Sequence, residues 1–306
     1  MKALVPTALA LLFARPLAAA GAPPAERPAA DPAESNVVEY LRAHVTPGEP
    51  VVVSDLYNRV FTAPPERAVL DRLFNSVFKL PLFIAQQQKT LGRPPSLAEI
   101  AGQFRFGVPG ETDVMLRILE SDPRVPRFFE RDPRSGEITR VDVNAILAHP
   151  QFGKALERSL AGWEGRSVPS WKATGAGGAP IGSESLAGKP HLVYFWFSGC
   201  PPCLRTSPLL PELQRRYGGR GFEIVAVSAD AVLEVPVSAA EREAYARRSG
   251  WTFPIVEADA ATIAAFGSVD IFPTFLFVDR RGVVVRQLVG FQELPLLEST
   301  ALRALE

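Results

Sequence analysis

The sequence predicts a two-part chain: an α/β sheet with a mixed edge in the C-terminal half, preceded by a mainly helical region. Three observations carry this. His191 to Phe197 reads His-Leu-Val-Tyr-Phe-Trp-Phe, a continuous apolar and aromatic run of strand length, the pattern of a strand buried on both faces. Pro201 to Tyr217 has helical character, ends at Gly218-Gly219 and leads to a second apolar run, Phe222 to Ser228, completing a βαβ unit. Before about Gly165 the apolar spacing is helical instead, as in Val69, Leu70, Leu73, Val77 and Leu80. A chain of 306 residues can bury two cores of ordinary size, and we divide it at 36–165 and 166–306.

Residues 1–20 read as a signal peptide: Lys2 gives a basic start, Ala3 to Ala14 is apolar apart from Thr7, and Ala18-Ala19-Ala20 offers a cleavage site. The apolar run falls short of the roughly eighteen residues that a transmembrane helix needs. Cleavage and release into a periplasmic or other extracytoplasmic space are therefore expected, rather than retention on an uncleaved anchor. Residues 21–35, with Pro23, Pro24, Pro28 and Pro32 among alanines, read as a solvated tether. Asn36 to Ala43 reads as a short helix and Pro65 to Leu80 as a longer one, broken or kinked by Pro81. Ser96 caps a helix from Leu97 to Phe104, with Glu99 closing a capping box, and Glu111 to Glu120 forms the next helix. Asp132-Pro133-Arg134-Ser135-Gly136 is a turn that pairs the two ends of Arg127 to Arg140 as a hairpin.

Helices followed by a hairpin describe a winged-helix-like module, an arrangement best known from DNA binders. The charge argues against that use. Residues 36–165 carry sixteen Lys plus Arg and sixteen Asp plus Glu, and the whole chain carries 33 of each, so no basic face exists for nucleic acid. A protein-contact or spacer role is expected for this domain.

Gly162 to Gly182 is Gly-rich and marks the boundary, with a hairpin around Val168 to Ile181. After the βαβ unit, Ala239 to Arg248 reads as a helix and Phe253 to Val256 as a short strand. Asp259 caps a helical turn reaching Phe266, closed by Gly267. Phe275 to Val278 and Val283 to Gln287 pair across Asp279-Arg280-Arg281-Gly282, and a terminal helix ends the chain.

The only cysteines are Cys200 and Cys203, in the order Cys-Pro-Pro-Cys. A structural disulfide framework would need more of them at scattered spacings. A zinc site would need four ligands, and His44, His149 and His191 form no cluster with this pair. What remains is redox chemistry, for which the placement is apt. The motif follows a buried strand and opens a helix, whose N-terminal N–H groups favour a thiolate and lower the pKa of Cys200. Cys200 is thus the attacking sulfur, and Cys203, one turn on and less exposed, resolves the mixed disulfide. Pro201 suits an early helical position and Pro202 stiffens the loop.

The stretch from Val168 to Val289, about two fifths of the chain, resembles the TlpA/ResA branch of thioredoxin-fold proteins, exported thiol-disulfide oxidoreductases. The resemblance rests on Val168-Pro169-Ser170-Trp171, Phe195-Trp196, the Cys-Pro-Pro-Cys itself, Pro208, Gly221 to Ser228, and Phe272-Pro273-Thr274-Phe275-Leu276, in that order. It implies an α/β thioredoxin-like fold, and a cis Pro273 facing the cysteines, with the Phe272 main chain left free for an extended client. Trp196, Pro201, Pro202, Phe272 and Thr274 would support the site, and Pro208 would kink the helix. No cofactor beyond a redox-active Cys200–Cys203 disulfide is expected, and no metal. The implied partners are disulfide-bearing client proteins, apocytochromes c among them, and a membrane or soluble electron donor. A protein partner for the helical domain is a further expectation, and nucleic acid is not one.

The chain departs from that family at three places. Gly199 replaces the usual Trp before the first cysteine, which opens the lip of the groove. Tyr194 stands where thioredoxins bury an acid, and Thr206 where some relatives carry Glu. Deprotonation of Cys203 then falls to water or to Asp230, which otherwise reads as a solvated strand end. Among other readings, a peroxiredoxin would need Thr at the position of Phe197, and a copper chaperone would need a longer cysteine spacing and a placed His. A thioredoxin-fold scaffold or metal-chaperone-like binding protein, whose N-terminal domain recruits the partner, is the alternative from a different class.

Overall fold

The computed structural model describes residues 31–104, 110–123, 125–175, 180–267, 269 and 271–306. The expected signal peptide and most of the tether lie outside the described residues. The tether's last residues do not extend as a linker: Asp31 caps a helix, α1 (Pro32–His44), by accepting from the Ala33 N–H, with Pro32 in its first turn. Among the described residues no helix is long and apolar enough to cross a membrane.

A short α2 (Val53–Asp55) leads into a π-helical turn and then α3 (Pro64–Val77), which buries Val69, Leu70, Leu73 and Val77. Pro81 does not end this unit. It sits in the first turn of a separate helix, α4 (Leu80–Leu91), where a missing N–H costs nothing. In α5 (Leu97–Phe104) the capping box is formed, the Ser96 N–H donating to Glu99 and the Glu99 N–H to the Ser96 hydroxyl. After α6 (Glu111–Ser121), β1 (Phe129–Arg131) and β2 (Ile138–Val141) pair antiparallel across the Asp132 turn. Two helices that the apolar spacing did not reveal, α7 (Val143–Ala148) and α8 (Gly153–Ala161), close the helical half.

The second half is a seven-stranded mixed sheet. Its strands are β3 (Lys172–Gly175), β4 (Pro180–Gly182), β5 (His191–Trp196), β6 (Glu223–Ser228), β7 (Ile255–Glu257), β8 (Thr274–Val278) and β9 (Val284–Val289), in the spatial order β4-β3-β7-β6-β5-β8-β9. Parallel pairs β5–β6 and β6–β7 form the centre and antiparallel pairs the edges. All of β5 is buried, so alternate side chains feed two cores. Leu192, Tyr194 and Trp196 pack on one face and Val193 and Phe195 on the other.

The segment read as one helix after the cysteines is two, α9 (Pro201–Thr206) and α10 (Leu209–Tyr217), parted at Ser207-Pro208 because Pro208 lacks the N–H that a continuous helix needs. Then come α11 (Ala239–Arg248), α12 (Ala260–Ala265) and α13 (Leu294–Leu305). The two halves share packing: Ile271 and Val289, from the sheet half, are buried within the helical core.

His191, at the start of β5, donates from Nδ1 to the Lys189 carbonyl at 2.7 Å, while its buried Nε2 has no partner. Burial holds the imidazole below its ordinary range, because a proton on Nε2 would be a charge out of water. The unfolded chain therefore binds that proton more readily, and stability falls as pH drops below about 6.5. Urea unfolding from pH 7 to 5 should show this as a steepening of up to about 1.4 kcal/mol per pH unit, removed in His191→Phe. An unchanged pH profile in that variant would exclude His191 as its source.

Candidate active site

The buried strand β5 ends at Trp196, and the chain turns through Phe197, Ser198 and Gly199 into α9. Gly199 has φ +80° and faces open space, so this side of the turn carries no lip. Cys200 is the N-cap of α9: its Sγ accepts the Cys203 N–H at 3.3 Å. That donor is poised to stabilise a thiolate on Cys200 once the sulfurs part. The two sulfurs are bonded to each other. Both cysteines are 1 % exposed, which corrects the expectation that Cys203 is the more hidden of the two. On the same face α5 of the helical half packs against α9.

Facing the disulfide is the loop Ile271-Phe272-Pro273-Thr274, in which the Phe272–Pro273 peptide bond is cis. Thr274 anchors this loop by donating its hydroxyl to the Ile271 carbonyl at 2.6 Å. The Phe272 ring meets Phe197 edge-on at 5.3 Å. The Phe272 carbonyl is not free, however. It accepts from the side-chain Nε2 of Gln103, on α5 of the helical half, at 2.7 Å. Nothing in the local sequence announces this contact, which spans 169 positions.

Beneath the site, Trp196 is buried and stacks on Tyr245 at 5.5 Å, with Trp251 edge-on at 5.0 Å. Pro202 is buried and Pro201 exposed. Tyr194, fully enclosed among aromatic rings, has a hydroxyl without a hydrogen-bond partner. Burial, with a smaller contribution from Tyr245, pushes its phenol well above the ordinary range, so it stays neutral.

Asp230 is not a solvated strand end. It is 1 % exposed and accepts from the Ser198 N–H at 2.6 Å and the Ser198 hydroxyl at 2.8 Å. Arg242, also buried, approaches it at 3.4 Å and donates to Glu257 at 2.8 Å. Its carboxylate thus fixes the turn that delivers Cys200. Among the described residues no group of three or more His, Cys, Asp or Glu side chains is placed to hold a metal ion.

A cysteine pair at a helix N-cap, at the end of a buried strand and opposite a cis-proline loop, is placed for disulfide exchange. The Redoxin family model matches residues 164–305. The chain is similar to the thiol-disulfide oxidoreductase ResA of Bacillus anthracis, 30 % identical over 134 residues, which cover 44 % of this chain and 74 % of that one. It is likewise similar to the ResA of Geobacillus thermodenitrificans, 31 % identical over 148 residues, covering 48 % of this chain and 80 % of the other. A solved thiol:disulfide interchange protein of the thioredoxin family from Chlorobium tepidum aligns over 46 % of this chain and 96 % of its own, at 26 % identity and a TM-score of 0.41.

Proposed function

The chain belongs to the ResA family of thiol-disulfide oxidoreductases, and from that premise we propose that it reduces disulfides of exported client proteins through Cys200 and Cys203. The observation that carries the reading is Cys200 at the N-cap of α9, bonded to Cys203 and accepting its N–H. In the reduced protein the Cys200 thiolate attacks one sulfur of the client disulfide. A Cys200–client bond forms, and the second client sulfur leaves as a thiolate. Cys203, deprotonated, then attacks the Cys200 sulfur, restoring the internal disulfide and releasing the other client thiolate. Two electrons pass from the protein to the client, and an upstream membrane or soluble dithiol donor returns them.

Export is supported by the leader-like residues 1–20, and apocytochromes c are the client class that the family resemblance favours. Purified protein should reduce a protein disulfide such as that of insulin at the expense of a dithiol, with Cys200 and Cys203 alternating between blocked and free in thiol-trapping gels. Turnover with both cysteines permanently oxidised would sink the reading.

A further inference from the structure

Gln103 and the helix that carries it lie over the redox centre. Gly102 of α5 packs so closely on Arg205 of α9 that an added Cβ would stand 2.8 Å from the guanidinium. Between α3, α5 and the cis-proline loop runs a cleft of about 300 Å³, lined by Asn75 and Lys79 from the helical half and by Cys200, Pro201 and Phe272 from the sheet half. Cys200 is 1 % exposed, so a client sulfur has to enter this cleft to reach it.

The side-chain amide of Gln103, itself 8 % exposed, does there what a peptide unit of a neighbouring strand would do. Its Nε2 donates to the Phe272 carbonyl at 2.7 Å, and its Oε1 accepts the Phe291 N–H at 3.3 Å. An incoming extended chain offers the same chemistry, a main-chain N–H for the Phe272 carbonyl. Exchanging one amide–carbonyl bond for another is nearly neutral, since each contributes only about 0.5–1.5 kcal/mol net. In a folded protein most main-chain N–H groups are already paired, and a surface disulfide brings the bulk of the fold with it toward the gap between α3 and the loop.

We propose that α3 and α5 form the second wall of the client site and restrict it to extended, unfolded cysteine-bearing segments. Gln103 holds the Phe272 carbonyl until the client's main chain replaces it. This rests on the reading of Cys200 and Cys203 as the redox pair. The helical half is then part of the recognition machinery and not a spacer.

The test uses the full chain carrying Cys203→Ser, in which the Cys200 thiolate attacks a probe disulfide, forms the mixed disulfide and expels a coloured aromatic thiolate. Three probes share that leaving group: a short unstructured peptide, a folded protein with its single cysteine on the surface, and the small aromatic disulfide itself. The peptide should react at least about tenfold faster than the folded protein, whose docking is hindered by the walls. Adding Gln103→Ala should raise the peptide rate relative to the small disulfide by about fivefold, as the competing amide is lost. Adding Asn75→Trp, which narrows the mouth, should lower that ratio.

Equal rates for peptide and folded protein would overturn the proposal, as would a ratio moved by neither variant. A ratio that falls in Gln103→Ala would make Gln103 a client contact and overturn the exchange. If the folded Cys203→Ser protein reacts with none of the probes, the redox reading fails and this proposal with it.

Discussion

Reduction of protein disulfides is expected to fall by at least about a thousandfold in Cys200→Ser, because the attacking thiolate is gone and the remaining Cys203 is buried within the first turn of α9, away from its N-cap. Cys203→Ser is expected to behave in the opposite way. The first attack proceeds, but nothing resolves it, so clients remain attached to Cys200 and migrate as mixed disulfides on non-reducing gels. The N-cap geometry sets this asymmetry: Cys200 receives the Cys203 N–H, whereas Cys203 lies within the first turn. Equal capture by both variants would remove the assignment of roles.

A large loss of stability is expected from Asp230→Ala. The substitution leaves Arg242, 6 % exposed, with Glu257 as its remaining carboxylate, and removes the acceptor of both the Ser198 N–H and its hydroxyl. Breaking a buried charged pair from one side costs about 3–5 kcal/mol, far more than a surface ion pair contributes. Asp230→Asn keeps an acceptor for Ser198 and should lose less. Urea unfolding at neutral pH reads both. A loss below about 1 kcal/mol in Asp230→Ala would show that the turn before Cys200 is held by other contacts.

Features encoded over a few residues were legible in the sequence. The apolar run of β5, the capping box of Ser96 and Glu99, the Asp132 turn and the helix-opening cysteine pair each follow from neighbours along the chain. Pro81 was harder, because the same residue ends a helix or opens one, and only the packing of α4 decides. The polar run Gln86-Gln87 concealed that α4 is buried: the Gln87 amide is satisfied by the Val289 carbonyl, 202 positions away, at 2.6 Å. Asp230 and Gln103 were misread or passed over for the same reason. A buried polar side chain is explained by its partner, and here the partners are brought together by the tertiary fold.

Gly290 shows what that assembly demands of the sequence. Its φ is +74°, and a Cβ there would stand 2.7 Å from both Gln103 Oε1 and Phe83. The first constraint comes from the turn after β9 and would act on the sheet unit alone. The second exists only because the helical half is seated on it. Relatives that carry such a helical segment should therefore combine a glycine at this turn with an amide side chain in the covering helix, whereas relatives without it should tolerate asparagine or other small residues there. The pair Gly290 and Gln103 thus serves as a diagnostic for finding other two-part chains of this design among sequences whose cysteine motif alone looks ordinary.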